Sequence, residues 1–161
     1  MTPVTPCPVC GFTVGTVSPM DSIVALRSFP RRFTELLSPR HADDREPNDE
    51  ELARRRALVL EHVNAAAADI AAVLPALTRV LVEDDPILNS PSAGQPASGT
   101  DAIERLRGVT DELAALAERT SGSQWKRAAS RGGGKITALD LLNEAVHAGA
   151  HQLRLASDGL A

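Results

Sequence analysis

The chain has 161 residues, enough for one domain with a sizeable core and too few for two. With 43% hydrophobic and 24% charged residues, its composition is that of a soluble globular protein rather than a disordered one. Seventeen Lys+Arg against 21 Asp+Glu give a net charge of −4, which argues against nucleic acid as a partner, because such binding requires a basic surface. Aromatic residues make up only 2%, so the core must be built from Leu, Val, Ile and Ala, a set that suits packed helices better than sheets.

Residues 1–19 are rich in Thr, Val, Pro and Gly and read as an extended, turn-rich arm, with a helical domain expected over 20–161. The first basic residue is Arg27, so the start lacks the charged region of a signal peptide. Charges and prolines are expected to interrupt every apolar run before it reaches membrane-spanning length; the longest candidate, Ile70 to Thr78, contains Pro75. A cytoplasmic protein without a membrane partner is the expectation.

Cys7-Pro8-Val9-Cys10-Gly11-Phe12 has the shape of half a zinc knuckle: two thiolates across a tight turn, with Gly11 letting the backbone fold back. A complete site needs two more ligands and the chain has no other cysteine; His41, a symmetry mate in a homodimer or a bound thiol are the candidates. A thioredoxin-like redox motif would need a strand before it and a helix after it, and neither is expected.

Ile23, Leu26, Phe29, Phe33, Leu36 and Leu37 recur at steps of three and four and predict a first helix, ended by Ser38-Pro39, with Pro30 expected to kink it. Residues 38–48 form a polar loop carrying His41. Asn48 with Glu51 three residues on starts a second helix, whose buried face runs from Leu52 through Val59, Val63, Ala66, Ile70, Val73 and Leu77 to Leu81. Arg54-Arg55-Arg56 in its first turns reads as a solvated face. A Pro- and Gly-rich loop over 84–99 precedes a third helix from about Thr100 to Thr120. Trp125, a packing residue, and Gly132-Gly133-Gly134 are assigned to a flexible loop; Lys135 after the glycines lacks the spacing of a phosphate loop. Thr137, with Asp140 three residues on, opens a fourth helix that runs to about Ser157. Four such segments predict an all-α four-helix bundle.

The fourth helix carries two apolar stripes: Leu139, Leu142, Val146, Gly149 and Leu153, and Leu141, Glu144, Ala148, His151 and Leu155. Polar groups in those stripes need partners. His147 and His151 are one turn apart, the spacing two imidazoles need to ligate one ion, and His62 on the inward edge of the second helix supplies a third ligand. Three imidazoles would leave positions open for water or substrate. Glu144, one turn before His147, is the carboxylate available for orientation or proton transfer, and Asp69 is a weaker supporting candidate. Asn143 and Arg154 at the mouth are placed to meet an anionic substrate. The alternative is that these histidines are ordinary surface and core residues.

The segments 123–153 (SQWKRAASRGGGKITALDLLNEAVHAGAHQL), 26–37 (LRSFPRRFTELL) and 60–66 (LEHVNAA) resemble the DinB-like proteins, which include the mycothiol-dependent maleylpyruvate isomerase and related thiol transferases. The resemblance covers most of the chain from about residue 20. It implies a four-helix bundle with zinc or nickel at His62, His147 and His151, and an S-transferase or isomerase acting with a low-molecular-weight thiol such as mycothiol on an electrophile. The chain departs from the pattern at Leu52-Ala53-Arg54-Arg55-Arg56, where relatives carry an acidic residue before the histidine, and at Leu155-Ala156, where they carry Asp-Ile. Metal binding therefore carries over better than a particular reaction. A non-catalytic metal-binding bundle acting as a stress-associated interaction module and a metal-dependent hydrolase are the competing functions.

Overall fold

The computed structural model describes residues 5–38, 48–89 and 101–160. His41 lies outside them. Four helices, α1 (Pro19–Leu37), α2 (Asp49–Val82), α3 (Ala102–Arg119) and α4 (Ala138–Asp158), account for most of the described chain.

Their ends follow from local chemistry. The Ser18 side chain accepts from Asp21 N at 3.1 Å, with Pro19 in the first turn, where its missing N–H costs nothing. Asn48 Oδ1 accepts from Glu51 N at 2.9 Å, and Asp49, Glu50 and Glu51 suit the positive end of the α2 dipole. Thr137 and Asp140 form the expected reciprocal capping box at α4. Each helix turns one stripe inward: Ile23, Leu26, Phe29 and Phe33 from α1; Val59, Val63, Ile70 and Leu77 from α2; Leu106 and Leu113 from α3; Leu141, Leu142 and Val146 from α4. Phe29 and Phe33 are the bulkiest fully buried side chains, so two of the few aromatics sit at the centre.

The packing is not that of a simple up-and-down bundle. The most extensive interface joins α2 to α4, followed by α1 with α3, α2 with α3 and α1 with α4. Sequential α1 and α2 touch little, and α3 and α4 barely meet. Helices α1 and α2 thus stand at opposite corners, as do α3 and α4, in the cyclic order α1, α3, α2, α4. Gly149 of α4 makes the α1–α4 approach close: a Cβ there would lie within about 2.6 Å of the Phe29 ring.

Two expectations need correction. The glycine-rich loop is instead a small antiparallel hairpin, β1 (Ala128–Arg131) and β2 (Gly134–Thr137), with Arg131 opposite Gly134. Gly132 and Gly133 both have positive φ, 59° and 82°, which is what a two-residue hairpin turn requires. The hairpin follows a short 3-10 helix (Gly122–Lys126) whose Trp125 is buried, as expected of a packing residue. Arg127 donates to Val80 O and Glu83 O, tying this insert to the last turn of α2. The second correction concerns α2 itself. Its alanine-rich stretch is, by length and composition, apolar enough to cross a membrane, because alanines extend the apolar run on both sides of Pro75. In this fold that helix packs against α3 and α4.

Candidate metal centre

Before α1 the arm bends back onto α4. Cys7 N donates to Phe12 O at 2.8 Å and Gly11 N to Cys7 O at 2.8 Å, closing a tight turn. Gly11 has φ +71°, the left-handed conformation that glycine adopts without a Cβ penalty. Further along, Asn143 grips the arm backbone. Its Oδ1 accepts from Gly15 N at 3.1 Å and Val17 N at 3.0 Å, and its Nδ2 donates to Val17 O at 3.0 Å. Asn143 has no exposed surface, and these bonds satisfy an amide that would otherwise be stranded in the bundle. Its place is therefore against the arm, not at a substrate-facing mouth.

One turn on from Asn143 lies His147, and one more reaches His151. Phe12 stacks on the His147 ring with centroids 5.6 Å apart, and His147 meets His151 edge-on at 5.6 Å. The turn delivers both sulfurs to these imidazoles. One ligand atom from each of Cys7, Cys10, His147 and His151 lies within 4.8 Å of all the others, and all four residues are half-buried. Cys7 Sγ is 3.4 Å from His151 Nδ1.

Cys7 is an acidic thiol here. Its pKa is drawn down from 9.0 to about 5, first by the Cys10 backbone N–H, then by His147, the Val9 N–H and His151. Burial pushes the Cys10 thiol the other way, and the neighbouring Cys7 adds to it.

His62 is not among the residues that converge. Its Nδ1 lies 2.8 Å from Gln152 Oε1. The reason is helix geometry, since successive residues of α4 point about 100° apart. The stripe Leu141, Glu144, Ala148 lines a cavity with Asp69, Ala72, Val73 and Ala76 of α2, so that side of α4 faces α2. Gln152 continues that stripe and meets His62, while His151 turns toward the arm.

The other site candidates fall as follows. Glu144 is held by Arg131 of the hairpin, whose Nη1 donates to Oε2 at 2.9 Å and whose Nη2 donates to Oε1. Its carboxylate is thereby engaged away from the cluster. Arg154 pairs with Asp158 at 2.9 Å and also borders a cleft of about 480 Å³ lined by Cys10, Arg32, Leu36 and Leu153.

The donor set suits a divalent ion of the zinc type. Ordinary Zn–S and Zn–N bonds place tetrahedral ligands about 3.3–3.8 Å apart, so a small contraction of the cluster suffices. His147 Nε2 is buried without a hydrogen-bond partner among the described residues, an orphan polar atom of the kind an ion relieves. Sequence reasoning found both pairs but assigned them to separate sites. The missed signal is that Cys-x-x-Cys with His-x-x-x-His is a complete Cys2His2 set, its halves separated by the whole bundle.

No protein-family model matches the chain, and no curated protein matches it. Among solved structures it is similar to YfiT from Bacillus subtilis, described as a probable metal-dependent hydrolase with an unusual four-helix bundle topology. That likeness has a TM-score of 0.62 at 15% sequence identity and covers 89% of this chain and 88% of YfiT. At that identity the two chains share a fold, and the four-helix bundle implied by the DinB-like resemblance is the architecture this chain adopts.

Proposed function

We propose that this protein binds one divalent metal ion, zinc by its donor chemistry, through Cys7, Cys10, His147 and His151, and that the ion fastens the N-terminal arm to α4. The observation that carries this reading is the convergence of four nitrogen and sulfur ligand atoms within 4.8 Å. Four protein ligands fill a tetrahedral ion, as in structural sites, whereas catalytic ones keep a position for water or substrate. This favours a metal-stabilised bundle over the thiol S-transferase, isomerase and hydrolase readings. A reducing compartment such as the cytoplasm would keep both thiols available for the ion.

Catalysis remains the second reading, favoured by the cleft beside Cys10, where Arg32 and Arg154 could receive an anionic substrate or thiol. It would require one ligand to leave the ion when substrate enters.

Metal analysis of protein purified without a histidine tag tests the first reading. One equivalent of zinc is expected, lost on changing Cys7→Ser, Cys10→Ser, His147→Ala or His151→Ala and kept in His62→Ala. Loss of metal in His62→Ala with retention in the double cysteine variant would restore the three-histidine site and overturn this one. Turnover of thiol and electrophile pairs by the metal-loaded protein would favour the second reading.

A further inference from the structure

The two sulfurs of the cluster are also placed to react with each other. Cys7 and Cys10 are the only cysteines in the chain, and one short turn holds them together through the Cys7–Phe12 and Gly11–Cys7 backbone bonds. Their sulfurs lie within 4.8 Å of each other. Cys10 also forms part of the wall of the 480 Å³ cleft, so a small solute reaches it from solvent. A metal held by two thiolates loses both anionic ligands if those sulfurs join, and two imidazoles alone make a poor site.

We propose that Cys7 and Cys10 are an oxidation site, at which a hydroperoxide forms an intramolecular disulfide and releases the metal together with the tip of the arm. The proposal rests on the cluster being a metal centre. The Cys10 thiolate, reached through the cleft, attacks one peroxide oxygen; the O–O bond breaks, leaving a sulfenic acid on Cys10 and one hydroxide or alkoxide. The Cys7 thiolate then attacks the Cys10 sulfur, the S–S bond forms and hydroxide leaves. The two sulfurs give up two electrons, the peroxide takes them, and two protons from solvent complete two waters, or one water and one alcohol. The divalent ion departs unchanged in oxidation state.

Release is confined to the tip because the arm has a second anchor that involves no sulfur. Asn143 holds Gly15 and Val17 by three hydrogen bonds. Residues 7–12 therefore lift, taking Phe12 off His147, while 15–17 stay.

The experiment starts from protein whose bound metal has been counted, then adds one equivalent of hydrogen peroxide in the presence of a chromogenic zinc chelator. One ion is expected in the chelator for each disulfide formed, with the protein two hydrogens lighter, and a dithiol plus zinc should restore the starting state. Cys7→Ser and Cys10→Ser, each lacking one partner of the bond, should show no loss of two hydrogens under the same treatment. Amide exchange should quicken over residues 7–12 and stay slow at Gly15 and Val17. Separate over-oxidation of the two cysteines without a disulfide, or a disulfide that forms while the metal stays bound, would overturn the proposal; so would exchange that quickens equally through residue 17. Protein that carries no metal at the outset would refute the metal reading instead, and the mass change on peroxide treatment would still decide whether the disulfide forms.

Discussion

At the scale of single residues, the site depends on small differences in orientation. His151 and Gln152 are adjacent in sequence, yet one joins the sulfurs of the arm and the other receives His62. The two cysteines are likewise unequal. Without metal, Cys7 with its pKa of about 5 is mainly thiolate at neutral pH, because N–H donors and imidazoles stabilise the anion, whereas burial keeps Cys10 protonated. In metal-free protein, iodoacetamide should modify Cys7 well before Cys10 at pH 7. The Cys7 rate should fall as the pH drops through about 5, as peptide mapping after timed labelling can follow. Asn143 is the other residue on which the arm depends. Asn143→Ala removes three hydrogen bonds between α4 and the arm and should cost about 1–3 kcal/mol of stability, measured by denaturant unfolding.

At the scale of elements, α4 is the organiser, meeting α2 on one side, α1 on another and the arm on a third. Its amphipathic pattern and its Thr137 cap were legible in the sequence because both are local properties, repeating every three or four residues or spanning one turn. Which neighbour each stripe meets was not legible. Gly149 illustrates the distinction: in the sequence it is a helix-weakening residue inside an apolar stripe, and in the structure it makes room for the Phe29 ring. Phe29 is only 1% exposed and cannot swing away. Gly149→Ala should therefore destabilise by about 1–3 kcal/mol through overpacking, despite alanine's better helix propensity. A lower thermal midpoint for the variant would confirm this, and a higher one would refute it. The hairpin escaped the sequence reading for a related reason. Strands of four residues carry little periodic signal, and the paired positive φ at Gly132 and Gly133 becomes meaningful only once Ala128 to Arg131 finds its partner.

At the scale of the whole molecule, the proposed ion joins the turn of residues 7–12 to the last helix, a link that no run of backbone hydrogen bonds provides among the described residues. Chelation should leave the four helices and their circular dichroism in place, because their shared core of Leu, Val, Ile and Phe side chains does not include the ligands. It should nevertheless lower the melting temperature, since a ligand present at a thousandfold above its dissociation constant stabilises the native state by about 4 kcal/mol. Calorimetry with and without chelator checks both statements, and collapse of the helical signal on chelation would show the arm to be part of the core. The sequence by itself determined the all-α class, the four helices, the caps of α2 and α4, the inward stripes and the two pairs of candidate ligands, because composition, periodicity and short spacing are carried by neighbours along the chain. The tertiary structure alone decided the cyclic order of the helices, the engagement of Glu144 and His62 with other partners, and the meeting of Cys7 and Cys10 with His147 and His151. Those facts depend on how α4 is rotated between α2 and the arm, and that rotation is set by packing between segments far apart in sequence, 90 residues from His62 to Gln152 and 126 from Val17 to Asn143.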